Sequence, residues 1–159
     1  IYYEHKYIGY NYRLSNISAS IGFGQIQKLE SFINKRRDTF EIYKNFFLDY
    51  DFVNFQKDFK NKKYKSYSNR WLSTFNFNIK NSNKFINYLI KSMTNNNIEV
   101  RPLWKPMHLQ PVFKKNKIYS NGVSAKLFES GICLPSGTYL NDNDLDKILT
   151  ILKKCLKKI

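Results

Sequence analysis

The chain has 159 residues, enough for one domain with a real core, and carries 27 Lys and Arg against 12 Asp and Glu, a net charge of +15. That balance ordinarily points to nucleic acid or an anionic membrane, but the lysines are dispersed and accompany Asn, Ile, Tyr and Phe, the set that A+T-rich codons favour, so we read it as genome bias on solvated faces. No apolar run approaches the ~20 residues of a membrane span, and the two cysteines, Cys133 and Cys155, lack metal-site spacing and make no disulfide framework, so the expectation is a cytoplasmic protein with reduced thiols and no nucleic-acid partner.

In chain order, the apolar residues Ile17, Ile21, Ile26, Leu29, Phe32, Ile33, Phe40, Tyr43 and Phe47 recur at threes and fours and predict one long amphipathic helix. Ser15 or Asn16 would cap it. Gly22 and Gly24 lie inside it, which suggests close approach of another backbone, such as a second subunit. Asn54 to Asn69 reads as a variable connection with a short strand near Phe52 to Phe55. Trp71, Ser73, Phe75, Phe77 and Ile79 then alternate with Leu72, Thr74, Asn76 and Asn78, the pattern of a strand with one buried face. A helix is expected from Asn83 to Thr94, capped by Ser82, with Phe85, Ile86, Leu89, Ile90 and Met93 as its stripe.

Asn95 to Asn97 form a turn, and Ile98 to Arg101 a strand stopped by Pro102. A further helix runs from Asn121 to Ser130, with Gly131 as its stop. Ile132 to Leu134 is a short buried strand. Asn141 caps a last helix whose first turn is acidic and whose end is crowded by Lys153, Lys154, Lys157 and Lys158, in the order that complements the helix dipole. These elements predict an α+β domain, a long lead-in helix followed by a small, mostly antiparallel sheet covered by helices.

The chain has no Gly-rich phosphate loop, no Gly-x-Ser-x-Gly elbow, no His-Glu-x-x-His and no clustered carboxylate pair. Two strings remain: Gly9-Tyr10-Asn11-Tyr12-Arg13-Leu14-Ser15-Asn16, and Arg101-Pro102-Leu103-Trp104-Lys105-Pro106-Met107-His108. Each sets bond-forming side chains among aromatics and prolines, in loops that a frame can aim at a small ligand. In the second, Trp104 offers a flat face for a base or sugar and Arg101 a planar fork for phosphate or carboxylate. The competing structural reading makes Trp104 a core residue and Arg101 a helix cap. A basic, aromatic nucleic-acid-binding module is the rival function: it accounts for the charge but not for the ordered strings.

The first string, the helix opening Ser18-Ala19-Ser20-Ile21-Gly22, and Gln25-Ile26-Gln27-Lys28-Leu29 running on to Lys35-Arg36-Arg37 resemble the C-terminal portion of DegT/DnrJ/EryC1/StrS nucleotide-sugar aminotransferases. Ser68-Asn69-Arg70-Trp71-Leu72, then Arg101 to Phe113, then Gly131 to Gly137 look closest to the branch that aminates UDP-4-keto-6-deoxy-N-acetylglucosamine, toward bacillosamine or legionaminic acid. The resemblance implies the C-terminal small domain of the aspartate-aminotransferase fold, a pyridoxal 5'-phosphate cofactor, glutamate as amino donor and a UDP-linked 4-keto sugar as acceptor. Residues 1–50 would link an absent large domain to a small domain over 51–159. It further implies a homodimer with shared active sites, in which Asn11 reaches the cofactor phosphate of the neighbouring subunit with Arg13 beside it. Arg101, Trp104 and His108 would approach the sugar nucleotide. The Schiff-base lysine of the family has no counterpart here, so the chain alone is expected to be inactive; a sugar-binding relative without turnover is the remaining alternative.

Overall fold

A computed structural model of the protein describes residues 3–58 and 67–159. Its element order is α1 (Asn16–Ile26), α2 (Leu29–Phe46), β1 (Val53–Phe55), β2 (Ser73–Phe77), α3 (Ser82–Thr94), β3 (Arg101–Pro102), α4 (Val123–Ser130), β4 (Gly131–Leu134) and α5 (Asp142–Leu156), with two short 3-10 turns between β3 and α4. The expected α+β architecture with an antiparallel sheet is what the chain adopts. The strands lie in the order β1-β2-β4-β3, and every pairing is antiparallel, with Phe55 opposite Phe75, Phe75 opposite Ile132 and Pro102 opposite Ile132.

Alternation decides β2: Ser73, Phe75 and Phe77 are buried while Thr74 and Asn76 are half-exposed. β4 is buried at all of its residues, as a strand covered on both faces must be. Phe40 of α2 stacks on Phe75, Tyr43 of α2 meets it edge-on and Phe47, the C-cap of α2, lies tilted against it. Leu89 and Met93 of α3 and Ile148 and Leu152 of α5 complete the same core. Asn141 caps α5 as expected, its side chain accepting from the Asp144 amide while Asp144 returns a bond to the Asn141 amide. Cys133 and Cys155 are free and buried.

Several expectations are corrected. The long helix is two, broken around Gln27 and Lys28, where the Lys28 amide turns back to Gln25 and the Phe32 amide starts a new ladder on Lys28. The break separates different environments, since α1 has no buried residue whereas α2 buries Thr39, Phe40 and Tyr43. Ile17, Ile21, Ile26 and Leu29 therefore carry the helical period without being core. Ser15 is the cap of α1, accepting from the Ser18 amide. Among the described residues, nothing outside the helix's own backbone lies within 4 Å of a Cβ added at Gly22 or Gly24.

Trp71 is 62% exposed, because the ladder begins only at Ser73. Ser82 is not the cap of α3: that position is Asn81, in the left-handed region at φ 59°. Pro102 does not stop a strand but forms part of β3, which tolerates it because β3 is the sheet edge, where a missing donor faces no neighbour. Helix α4 starts at Val123 rather than Asn121 because Gly122 turns at φ 80°. Gly131 ends α4 and also opens β4; a Cβ there would lie 2.2 Å from Leu103 Cδ1 and 2.7 Å from the Leu127 carbonyl oxygen. The predicted connection from Asn54 to Asn69 falls partly outside the described residues, at 59–66.

Candidate functional site

The first string is an exposed turn built by its own side chains. Asn11 Oδ1 accepts from the Arg13 amide at 2.8 Å, and Arg13 sits at φ 63°. An Asx turn of this kind lets a short polar side chain replace a backbone bond and supports the left-handed residue that follows. With Oδ1 engaged, the Asn11 amide group keeps its two N–H donors for another acceptor. The Arg13 guanidinium makes no ion pair among the described residues. Tyr10, Tyr12 and Leu14 beside them are exposed. The turn thus presents donors and one positive charge, a combination suited to an anionic oxygen cluster.

The second string borders several recesses, among them a cavity of about 780 Å³ that Arg101, Pro102 and Leu103 line with Ile90, Thr94 and Ile98. Arg101 and Trp104 line a cavity of about 330 Å³ together with Tyr3, Trp71, Cys133 and Tyr139. Trp104 is 51% exposed, so it is not core. Arg101 caps no helix: its Nε donates to Glu99 Oε1 at 2.7 Å and its Nη1 to the Tyr3 hydroxyl. The bond to Glu99 raises its pKa, so the fork stays charged but partly neutralised. His108 is half-buried in a 3-10 turn and lines a separate recess of about 340 Å³ with Met107, Phe113, Asn116, Lys117 and Tyr119. The structure therefore brings Arg101 and Trp104 together and leaves His108 in its own recess, with Asn11 and Arg13 on the exposed turn. Among the described residues no group of His, Cys, Asp or Glu could hold a metal ion, and no helix is long and apolar enough to cross a membrane.

Two supports escaped the sequence reading. Arg36 and Arg37 of α2 donate to the carbonyl oxygens of Trp71 and Ser68, at 2.5 and 2.9 Å. Arg70 stacks over the Phe40 ring at 3.8 Å and pairs with Asp58 at 3.1 Å. Together they fix the segment that delivers Trp71 to the recess. Gln110, buried between Leu109 and Pro111, is the second. A polar residue beside a proline is a weak signal, and its partners lie at the far end of the chain.

Cys133 sits in the wall of the Trp104 recess, yet burial pushes its thiol up from 9.0 to about 11. The thiolate is the reactive form and Cys155 is shielded by burial, so at pH 8 iodoacetamide should leave the folded protein unmodified and label both cysteines only after unfolding, as read by intact mass. The sign follows from the raised value: folding favours the neutral thiol, so this group costs stability only as pH rises above about 9. Rapid native labelling would place Cys133 outside the wall.

The profile of the DegT/DnrJ/EryC1/StrS aminotransferase family matches residues 2–153. EpsN of Bacillus subtilis, named as a pyridoxal phosphate-dependent aminotransferase, is 38% identical over 157 residues, which covers 96% of this chain and 38% of EpsN. GDP-perosamine synthase of Escherichia coli O157:H7 is 29% identical, covering 90% of this chain and 36% of that protein. Among solved structures, Helicobacter pylori PseC, an aminotransferase of pseudoaminic acid biosynthesis, superposes with a TM-score of 0.73 at 20% identity, over 98% of this chain and 41% of PseC. The chain thus spans about two fifths of the length of these relatives.

Proposed function

We propose, since this chain belongs to the DegT/DnrJ/EryC1/StrS aminotransferase family, that it forms the C-terminal part of a homodimeric, cytoplasmic aminotransferase that acts on a sugar nucleotide in cell-surface glycan biosynthesis. In this reading residues 1–50 connect the larger cofactor-bearing domain to the small domain formed by 51–159. The observation that carries it is the Asn11–Arg13 turn. Its amide is oriented by the Arg13 amide, and the residue is exposed, so its two N–H donors are open to an outside acceptor. That donor set fits a phosphate. Asn11 would hold the phosphate of pyridoxal 5'-phosphate bound in the partner subunit, with Arg13 neutralising charge beside it. The cofactor supplies the electron sink that transamination needs.

Arg101 and Trp104 would wall the sugar-nucleotide pocket, Trp104 against the flat base or sugar and Arg101 toward a phosphate. His108, from the adjoining recess, would reach the sugar only when the rest of the enzyme brings the two recesses to one substrate. The preferred acceptor is a UDP-linked 4-keto-6-deoxy sugar, aminated at C4 at the expense of glutamate. A GDP-linked sugar is the second reading, favoured by the similarity to GDP-perosamine synthase.

The test uses the complete protein, supplied with glutamate and either UDP- or GDP-linked 4-keto-6-deoxy sugar. Release of 2-oxoglutarate with the UDP substrate is the expected result. Turnover with the GDP substrate alone moves the assignment to the second reading. Cofactor and sugar binding without turnover by either would make the protein a non-catalytic relative, and the proposal would fail.

A further inference from the structure

Gln110 is 3% exposed. A primary amide has two donors and one acceptor oxygen to satisfy, and this one uses all of them. Nε2 donates to the carbonyl oxygens of Tyr3 at 3.1 Å and Lys105 at 3.2 Å, and Oε1 accepts from the His5 amide at 2.9 Å. The Val112 amide adds a bond to the His5 carbonyl oxygen at 3.1 Å. On the outside of the same strap Lys105 pairs with Glu4 at 2.5 Å, and that hydrogen bond holds the Glu4 carboxylate below its usual range. Residues 3–5 stand just ahead of the Gly9–Asn16 string, separated from it by Lys6, Tyr7 and Ile8, and Lys105 lies within the Arg101–His108 string. One buried side chain is therefore bonded to the root of the first string and to the middle of the second.

We infer that Gln110 is a positioning residue that locks the two strings together, so that the Asn11–Arg13 turn and the Arg101–Trp104 wall are held as one body. The inference rests on the preceding functional reading for what each string binds, but the lock itself is a property of this chain. Packing alone does not explain the residue. A methionine would fill nearly the same volume at lower desolvation cost, whereas only an amide can bridge two carbonyls and one N–H at once.

The experiment compares Gln110→Met with wild type in the complete protein. Without cofactor, hydrogen exchange at the His5 amide should speed up by about tenfold, the scale of one lost hydrogen bond. With cofactor, the cofactor dissociation constant and the KM for sugar nucleotide should rise together, each by about 5- to 30-fold, while kcat at saturation stays within about threefold. Glu4→Gln, which releases the outer ion pair and leaves the core intact, should move the same two constants in the same direction by about two- to threefold. It keeps the test available if the methionine variant folds poorly.

A lower unfolding midpoint with both constants unchanged would show a structural role only and overturn the inference, as would a shift in one constant alone. Asn11→Ala separates the two levels. If it weakens cofactor binding while Gln110→Met does not, the lock fails and the functional reading stands. If Asn11→Ala has no effect, the functional reading itself fails, whatever Gln110 does.

Discussion

Replacing Phe75 with Ala should remove about 3–5 kcal/mol of stability, the range for deleting a buried ring. A typical domain has only about 5–15 kcal/mol to lose. The cost follows from what surrounds the ring. Phe75 lies 5.6 Å from Phe40 in a near-parallel stack, 4.9 Å from Phe47 and 6.2 Å edge-on from Tyr43, and 6.3 Å from Phe55 on the neighbouring strand. These rings come from α2 and its C-cap and from β1, so the vacated space borders two elements besides the strand that carries Phe75 and cannot close by moving one. Urea unfolding with an unchanged m-value is the measurement. Trp71, which has the same parity in sequence but stands before the ladder, should lose less than about 1 kcal/mol as Trp71→Ala. Should Phe75→Ala fail to fold, Phe75→Leu gives the graded comparison. Equal losses at the two positions would mean that the buried face of β2 has been misassigned.

That contrast also marks what could be read before the structure. Period-two alternation reports which side chains share a face, and Ser73, Phe75 and Phe77 were legible for that reason; where the ladder starts depends on partners, so Trp71 was not. Local chemistry was equally legible. The Asn141 cap closes a bond with Asp144 three residues away, and the acidic first turn of α5 needs no tertiary contact. The break between α1 and α2 was hidden because the apolar spacing continues through it, and only the loss of burial distinguishes the two halves. Pro102 looked like a stop because edge position is a fact of strand order, decided by β4 from further along the chain. At the site, Asn11 and Arg13 stood out because the string that carries them resembles a family motif, and Arg101 and Trp104 because of their composition; the bond between Asn11 and Arg13 emerged only with the structure. Gln110 did not, since its partners at Tyr3 and His5 are about a hundred residues away in sequence. Arg36, Arg37 and Arg70 lay within the strings that carry the resemblance, but the sequence assigned them no partner, because the carbonyls and the Phe40 ring they serve are distant along the chain.

The sharpest consequence of a shared site is complementation between two defective subunits. In the proposed reading Asn11→Ala would remove a donor to a charged phosphate, a bond of about 1.5–3 kcal/mol, so cofactor binding should weaken by about 10- to 100-fold. At cofactor concentrations between the two dissociation constants that homodimer is nearly inactive. A second variant, with the reactive lysine of the large domain replaced, is inactive at any concentration. When Asn11 serves the partner's cofactor, the mixed dimer contains one intact site: the lysine comes from the Asn11→Ala subunit, and Asn11 comes from the lysine-deficient one. Random reassortment at equal amounts makes half of the dimers mixed, so activity should return to about a quarter of wild type. When Asn11 serves its own subunit, both sites of the mixed dimer are defective and nothing returns. The measurement is 2-oxoglutarate release before and after subunit exchange, with Arg13→Ala as a parallel series. Arg13 is expected to complement in the same direction, because the turn that orients the Asn11 amide fixes both residues on one side of any interface they cross.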